Sequence, residues 1–99
     1  MRAPVSRIRE IVRITGRVQG VGFRDSVIGI AAEFDVAGSV RNVRAGDALE
    51  IDVEGEGDEV ERFIAAVLAR PPSFARIANV ERTHAQPRRA VGFGRDATA

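Results

Sequence analysis

The chain has 99 residues, a formal net charge of +1 and 44% hydrophobic residues. That is the size and balance of one folded domain, expected to span 1–99, rather than of a disordered or two-domain chain. All 15 Lys+Arg residues are Arg, and there is no Cys, Tyr or Trp. The missing Lys removes Schiff-base chemistry and a Walker-A phosphate loop. The missing Cys removes thiol nucleophiles, disulfides and thiolate zinc sites. With one His, His84, a His-rich metal site is excluded as well. Arg in place of Lys is read as the codon bias of a GC-rich genome. No apolar run reaches the ~20 residues of a membrane span. Met1–Arg7 lacks the apolar core of a secretory signal, so a cytoplasmic location is expected.

Charge is unevenly placed. Residues 1–24 hold six Arg against Glu10 alone, and residues 47–61 hold eight acids and no Arg. The N-terminal Arg are dispersed, which favours solvated strand and tail positions over a nucleic-acid patch.

Residues 1–9 read as a flexible tail. From Glu10, Val12, Ile14 and Gly16 share one face of a strand, while Arg13, Thr15 and Arg17 share the other. Ile11 breaks the alternation. A glycine-rich turn runs from Gly16 to Phe23. Asp25-Ser26 then opens a helix, with Val27, Ile30, Ala31 and Phe34 at the spacing of one face. A second strand is expected near 38–44 and a turn at Ala45-Gly46-Asp47. Leu49 to Glu54 alternates apolar with acidic, the pattern of a hairpin strand with one wet face. Asp58 with Glu61 three residues later forms a capping box for a second helix. That helix carries the stripe Val60, Phe63, Ile64, Val67 and Leu68, and Pro71-Pro72 stops it. Ala75, Ile77 and Val80 mark a fourth strand with an irregularity. Residues 90–95 suit a short fifth strand, and 96–99 a tail. The order β-α-β-β-α-β predicts a ferredoxin-like, two-layer α+β sandwich, an antiparallel sheet with both helices on one face.

The segment with chemical content is Gly16-Arg17-Val18-Gln19-Gly20-Val21-Gly22-Phe23-Arg24. Glycines let backbone N–H groups turn toward one point, and the next helix adds its free N–H groups and positive dipole end. Arg24 supplies a planar fork for phosphate or carboxylate. It is not a dinucleotide fingerprint, because Asp25 stands where a third glycine is needed. From spacing alone, anion binding and a plain turn both stay open.

Val18-Gln19-Gly20-Val21-Gly22-Phe23-Arg24 resembles the acylphosphatase signature residue for residue. Ala37-Gly38-Ser39-Val40-Arg41-Asn42 is similar to that family's second-strand segment, which ends in a functional Asn. Gly46, Glu50, Gly55, Pro71-Pro72 and Ala75-Arg76-Ile77 extend the likeness, which covers residues 12–80. The resemblance implies hydrolysis of small acyl phosphates to carboxylate and phosphate. Arg24 would bind the phosphoryl oxygens, the backbone N–H groups of Gln19, Gly20, Val21, Gly22 and Phe23 would complete the cradle, and Asn42 would orient the attacking water. It implies no metal and no cofactor. The expected partner is the small-molecule substrate, with no nucleic acid, no membrane and a monomeric chain.

That chemistry suits the composition. The leaving carboxylate departs without a general acid, and the phosphoryl oxygens accept the water's proton. Two positions depart from the family's pattern. Ser39 stands where an aromatic is common, and Asp25 puts a negative charge beside Arg24 that opposes phosphate if it turns inward. After Val80 the likeness fades. The alternative is a phosphate- or ligand-sensing module on the same fold. RNA binding ranks last, because only five Phe are present and base stacking needs aromatics on the central strands. His84 reads as exposed, and Ser26 and Ser39 lack the partners of a nucleophile. Arg24 is the one arginine expected to resist replacement by Lys; the other fourteen are read as composition and solubility.

Overall fold

The computed structural model describes residues 6–99, so the part of the expected tail at 1–5 lies outside the described residues. The elements run β1 (Arg7–Arg17), α1 (Phe23–Ala31), β2 (Val36–Val43), β3 (Ala48–Glu56), α2 (Gly57–Ala69), β4 (Arg76–Ala85) and β5 (Phe93–Arg95). Strand order in the single sheet is β4-β1-β3-β2-β5. The two long pairings of β1, with β3 and with β4, and that of β2 with β3, are antiparallel. Both helices cover one face, as the ferredoxin-like reading expects.

Alternation sets the core. On β1, Val12 and Ile14 turn inward; on β3, Leu49, Ile51 and Val53; on β2, Val40. They meet Val27, Ile30 and Ala31 of α1 and Val60, Phe63, Ile64 and Val67 of α2, all buried. Each fully buried aliphatic or aromatic side chain contributes roughly 1.5–3 kcal/mol.

Several boundaries differ from the sequence reading, each for a physical reason. Strand β1 begins at Arg7, not at Glu10, because Arg7, Ile8 and Arg9 pair with Glu56, Gly55 and Glu54. The second helix has Glu56 at its N-cap, with no side-chain cap bond, so Asp58 does not cap it. Glu61, the other half of the expected box, instead pairs with Arg82. The first helix starts two residues early, at Phe23, because Gly22 adopts the left-handed cap with φ 78°. The fourth strand does carry its irregularity, a register shift opposite Thr15 and Gly16.

The largest correction concerns the C-terminal region. The fifth strand is short and runs parallel to β2, which makes the sheet mixed. Gly38 lies beside Phe93 in that pairing, and a Cβ there would lie 1.8 Å from the Asp52 carbonyl oxygen of β3. Phe93 packs edge-on to Phe63 at 5.5 Å. The expected tail at 96–99 is tied down. The Asp96 N–H donates to the Val40 carbonyl at 2.8 Å and the Ala99 N–H to that of Asn42 at 2.9 Å.

To reach β5 from β4, residues 86–92 cross the helix-free face. Glu54 catches them there. Its carboxylate accepts the Arg89 N–H at 3.1 Å, the Ala90 N–H at 2.7 Å and Arg7 Nε at 2.9 Å. Beside it, Asp52 accepts a fork from Arg9 and one bond from Arg88. The acidic row of β3 is therefore the counter-charge to arginines of β1 and the crossing. Those arginines are partnered, contrary to the expectation that they are simply solvated.

Two buried carboxylates tie stability to pH. A charge-assisted fork from Arg82 holds Glu10 below the ordinary glutamate range. At Glu54 burial opposes ionisation most strongly, but the Ala90 and Arg89 N–H groups and Arg7 together win, and its pKa is also lowered. A lowered folded-state pKa gives stability that is complete above the ordinary value, about 4.5, and lost as pH falls through the lowered one. Denaturant midpoints should therefore be flat near neutrality and fall steeply below about pH 4.5. Glu54→Gln should cost about 1–3 kcal/mol near neutral pH, because an amide cannot satisfy three donors, and should flatten the acid limb. Equal midpoints for the variant and the parent at pH 7 would contradict this assignment.

Candidate active site

The site forms where β1 ends. Gly16 sits at the register shift with φ 131°, and a Cβ there would lie 2.1 Å from the Arg76 carbonyl oxygen. Only glycine lets β1 approach β4 this closely before the chain turns away. The turn then runs from Val18, which is buried and anchors it, to Gly22, the left-handed cap of α1.

Gln19 fixes the turn in space. Its Nε2 donates to the Val43 carbonyl at 2.9 Å and the Ala48 carbonyl at 3.2 Å, cross-strand partners on either side of the β2–β3 turn. The glycine loop is thereby pinned to the strand end that carries Asn42. Sequence reading gave Gln19 only a backbone role, and its side-chain tether went unseen because its partners are 24 and 29 residues away.

A pocket of roughly 110 Å³ opens between these pieces. Val18, Gly20, Gly22, Phe23, Arg24, Asp25, Asn42 and Arg95 line it. Arg24 and Asn42, 18 positions apart, thus share one small cavity. Gly20, Gly22 and Phe23 join them, whereas Gln19 and Val21 do not line it. Among the described residues, no backbone N–H from Gln19 to Phe23 finds a partner, as the first amides of a helix and its lead-in must leave free. Arg24 forms no ion pair there either.

Asn42 shares the helix-covered face of the sheet with Val40, two residues back on β2. Its Oδ1 is buried without a hydrogen-bond partner. A buried acceptor left unpaired costs about 1–3 kcal/mol, so it needs an explanation. Its residue lines the same pocket as Arg24 and the glycine turn. Among the described residues, no three His, Cys, Asp or Glu side chains converge on a metal-holding group. No helix there is long and apolar enough to cross a membrane.

The acylphosphatase family model matches residues 10–94. The chain belongs to the acylphosphatase family. An acylphosphatase of Acidiphilium cryptum is 41% identical over 85 residues, covering 86% of this chain and 91% of the relative. One from Thermococcus kodakarensis is 40% identical over 89 residues, covering 90% and 96%. The solved acylphosphatase of Bacillus subtilis superposes with a TM-score of 0.83 at 29% identity, covering 90% of this chain and 98% of that one. Full-length HypF, solved in its phosphate- and nucleotide-bound form, superposes with a TM-score of 0.88 at 31% identity over 97% of this chain. The acylphosphatase chain spans 13% of that much longer protein. The family match runs to residue 94 and so includes the region after Val80 where the sequence likeness fades.

Arg95 is the pocket residue that sequence reading missed. It pairs with Asp25 across the pocket rim. The one signal for it was the parallel between Val21-Gly22-Phe23 and Val91-Gly92-Phe93, each closely followed by Arg. Three residues of common types recur by chance, so nothing tied that echo to the site.

Gln19→Ala should lower turnover about tenfold by loosening the loop and stability by about 1 kcal/mol through the two lost hydrogen bonds. Steady-state kinetics with a matching denaturant titration checks this. Unchanged kcat would show that the tether does not position the site.

Proposed function

We propose that this acylphosphatase hydrolyses the carboxyl–phosphate bond of small acyl phosphates, with Arg24 and Asn42 as its catalytic residues. The observation that carries the reading is the meeting of a guanidinium free of carboxylate partners and an unpartnered buried Asn42 Oδ1 in one pocket at a helix N-terminus.

Arg24 holds two phosphoryl oxygens with its fork, and the free amides of the Gln19–Phe23 turn take the remaining negative charge. The side-chain amide of Asn42 accepts a hydrogen bond from one O–H of a water and aims its oxygen at phosphorus, opposite the acyl oxygen. The new P–O bond forms as the P–O(acyl) bond breaks, and the electron pair leaves on the carboxylate. The water's second proton moves to a phosphoryl oxygen. The products are carboxylate and dihydrogen phosphate, and the charge is conserved. The leaving group is already a weak base, with a conjugate-acid pKa of about 4–5. The protein's task is therefore position and charge stabilisation. Arg24, the amides and Asn42 suffice for that, with neither metal nor cofactor. The reading extends to a cytoplasmic monomer that needs neither nucleic acid nor membrane.

Purified protein should turn over acetyl and benzoyl phosphate, with no loss on adding a chelator. Arg24→Ala should lower kcat/KM by about 10²–10³-fold and abolish inhibition by phosphate. Arg24→Lys should recover only a small part, because a point charge cannot replace a fork. Asn42→Ala should lower kcat by about 10²-fold with phosphate inhibition nearly kept. Anion binding without turnover would replace this reading by the ligand-sensing one. Near-normal turnover by both alanine variants would overturn the residue assignment.

A further inference from the structure

Two charges at the pocket rim have no part in the chemistry above. Asp25 stands in the first turn of α1 and follows Arg24 directly. Arg95 ends β5. Both line the cavity with Arg24 and Asn42, and they form an ion pair with each other.

Asp25 poses a problem for an anion site. A carboxylate in the first helical turn favours the helix. At a phosphate pocket, however, the same charge repels the guest. A substrate phosphoryl group is largely dianionic near neutral pH. At separations of several Å and the effective dielectric of a surface site, such repulsion weakens anion binding by about three- to tenfold.

Backbone geometry delivers the counter-charge. In the parallel pairing, Arg95 lies opposite Val40, whose side chain faces the helices. The Asp96 N–H bond to the Val40 carbonyl holds that register. Arg95 thus emerges on the helix side, next to the start of α1. The side chains of Arg95 and Asp25 remain 49% and 71% exposed, and exposed pairs add little to folding. The pair's value therefore lies elsewhere.

We propose that Arg95 is a positioning residue for the hydrolysis. It neutralises Asp25 at the pocket mouth, so that the phosphoryl group reaches Arg24 without facing a negative charge. This rests on the reading of the pocket as a phosphoryl site. The arrangement lets the helix keep a favourable first-turn carboxylate while the substrate meets none.

The test uses Arg95→Ala, Asp25→Asn and the double variant. Inorganic phosphate binding is measured by calorimetry at low ionic strength, and KM and kcat with acetyl phosphate. Arg95→Ala should weaken phosphate and raise KM by about three- to tenfold, with kcat within about twofold. The loss should shrink at high salt. The double variant should return to within about twofold of the parent, because removing Asp25 removes what Arg95 offsets. Asp25→Asn alone should tighten phosphate by about two- to fivefold. This exposed substitution keeps the proposal testable even if Arg95→Ala fails to fold. Parent-like phosphate binding in Arg95→Ala, no rescue in the double variant, or no tightening in Asp25→Asn would each overturn the proposal. Phosphate binding by the parent without turnover would overturn the hydrolase reading instead and leave the roles of Arg95 and Asp25 to be judged on binding alone.

Discussion

A chain whose fourth strand lies at one edge of its sheet and whose fifth lies at the other must cross the sheet between them. Here the crossing passes over the helix-free face, held there by the Glu54 carboxylate together with the Arg88–Asp52 pair and the bonds of Arg7 and Arg9 to the Ala90 and Gln86 carbonyls. Burying a carboxylate is costly unless its lone pairs are met. An ionised carboxylate accepts only, and Glu54 meets only donors: two backbone N–H groups of the crossing and one guanidinium from β1. Much follows from that match. The crossing delivers Phe93 to Phe63 over Gly38, Arg95 to the pocket rim, and residues 96–99 to the edge of β2, where Ala99 bonds the Asn42 carbonyl. A group on the face away from the pocket thus governs one wall of it.

Most of the charge holds the fold. Eight arginines have carboxylate partners among the described residues: 7, 9, 41, 62, 70, 82, 88 and 95. Arg24 is not among them. It also sits in the first turn of a helix, where the positive dipole end disfavours a cation. The Asn42 Oδ1 is likewise left buried and unsatisfied. Both features cost the fold something, and both lie in the same pocket. Local rules are broken where an external group is to complete them. On the proposed reading, a bound anion is the group that relieves the crowding of positive potential at Arg24.

How much was legible in the sequence depended on the range of the interactions. Periodicity in β1, β3 and α2 is a local property, and the apolar faces it marked are the buried ones. The Gly16–Arg24 turn was legible because glycine and left-handed backbone go together: Gly20 and Gly22 have φ of 71° and 78°. Asn42 came from resemblance, since a strand-end Asn alone has commoner roles. The C-terminal region was not legible. Residues 86–92 are fixed by Glu54 more than thirty positions back, and β5 has only three residues with two unfavourable strand formers around it. The false capping box at Asp58 shows the converse. Its pattern was locally sound, but Arg82 competes for Glu61, and the chain entering from β3 places Glu56 at the cap.

The lysine-free composition bears on the fold as well as on the site. Codon bias explains why arginine is abundant, but the pairs use what lysine lacks. Arg9 forks onto both oxygens of Asp52, Arg82 onto both oxygens of Glu10 while also reaching Glu61, and Arg70 onto both oxygens of Glu33. Arg7 bonds Glu54 with Nε and the Ala90 carbonyl with Nη2, gripping the crossing from two sides. A lysine at these positions offers one ammonium, which cannot meet two acceptors along a fixed plane. Position 7 is therefore not a neutral site for lysine, despite its distance from the pocket. The same planar fork that suits Arg24 to a phosphoryl group is used across the helix-free face to hold carboxylates. Arg13, Arg17, Arg44, Arg76 and Arg89 also lack an acid partner among the described residues; what sets Arg24 apart from them is its place in one pocket with Asn42.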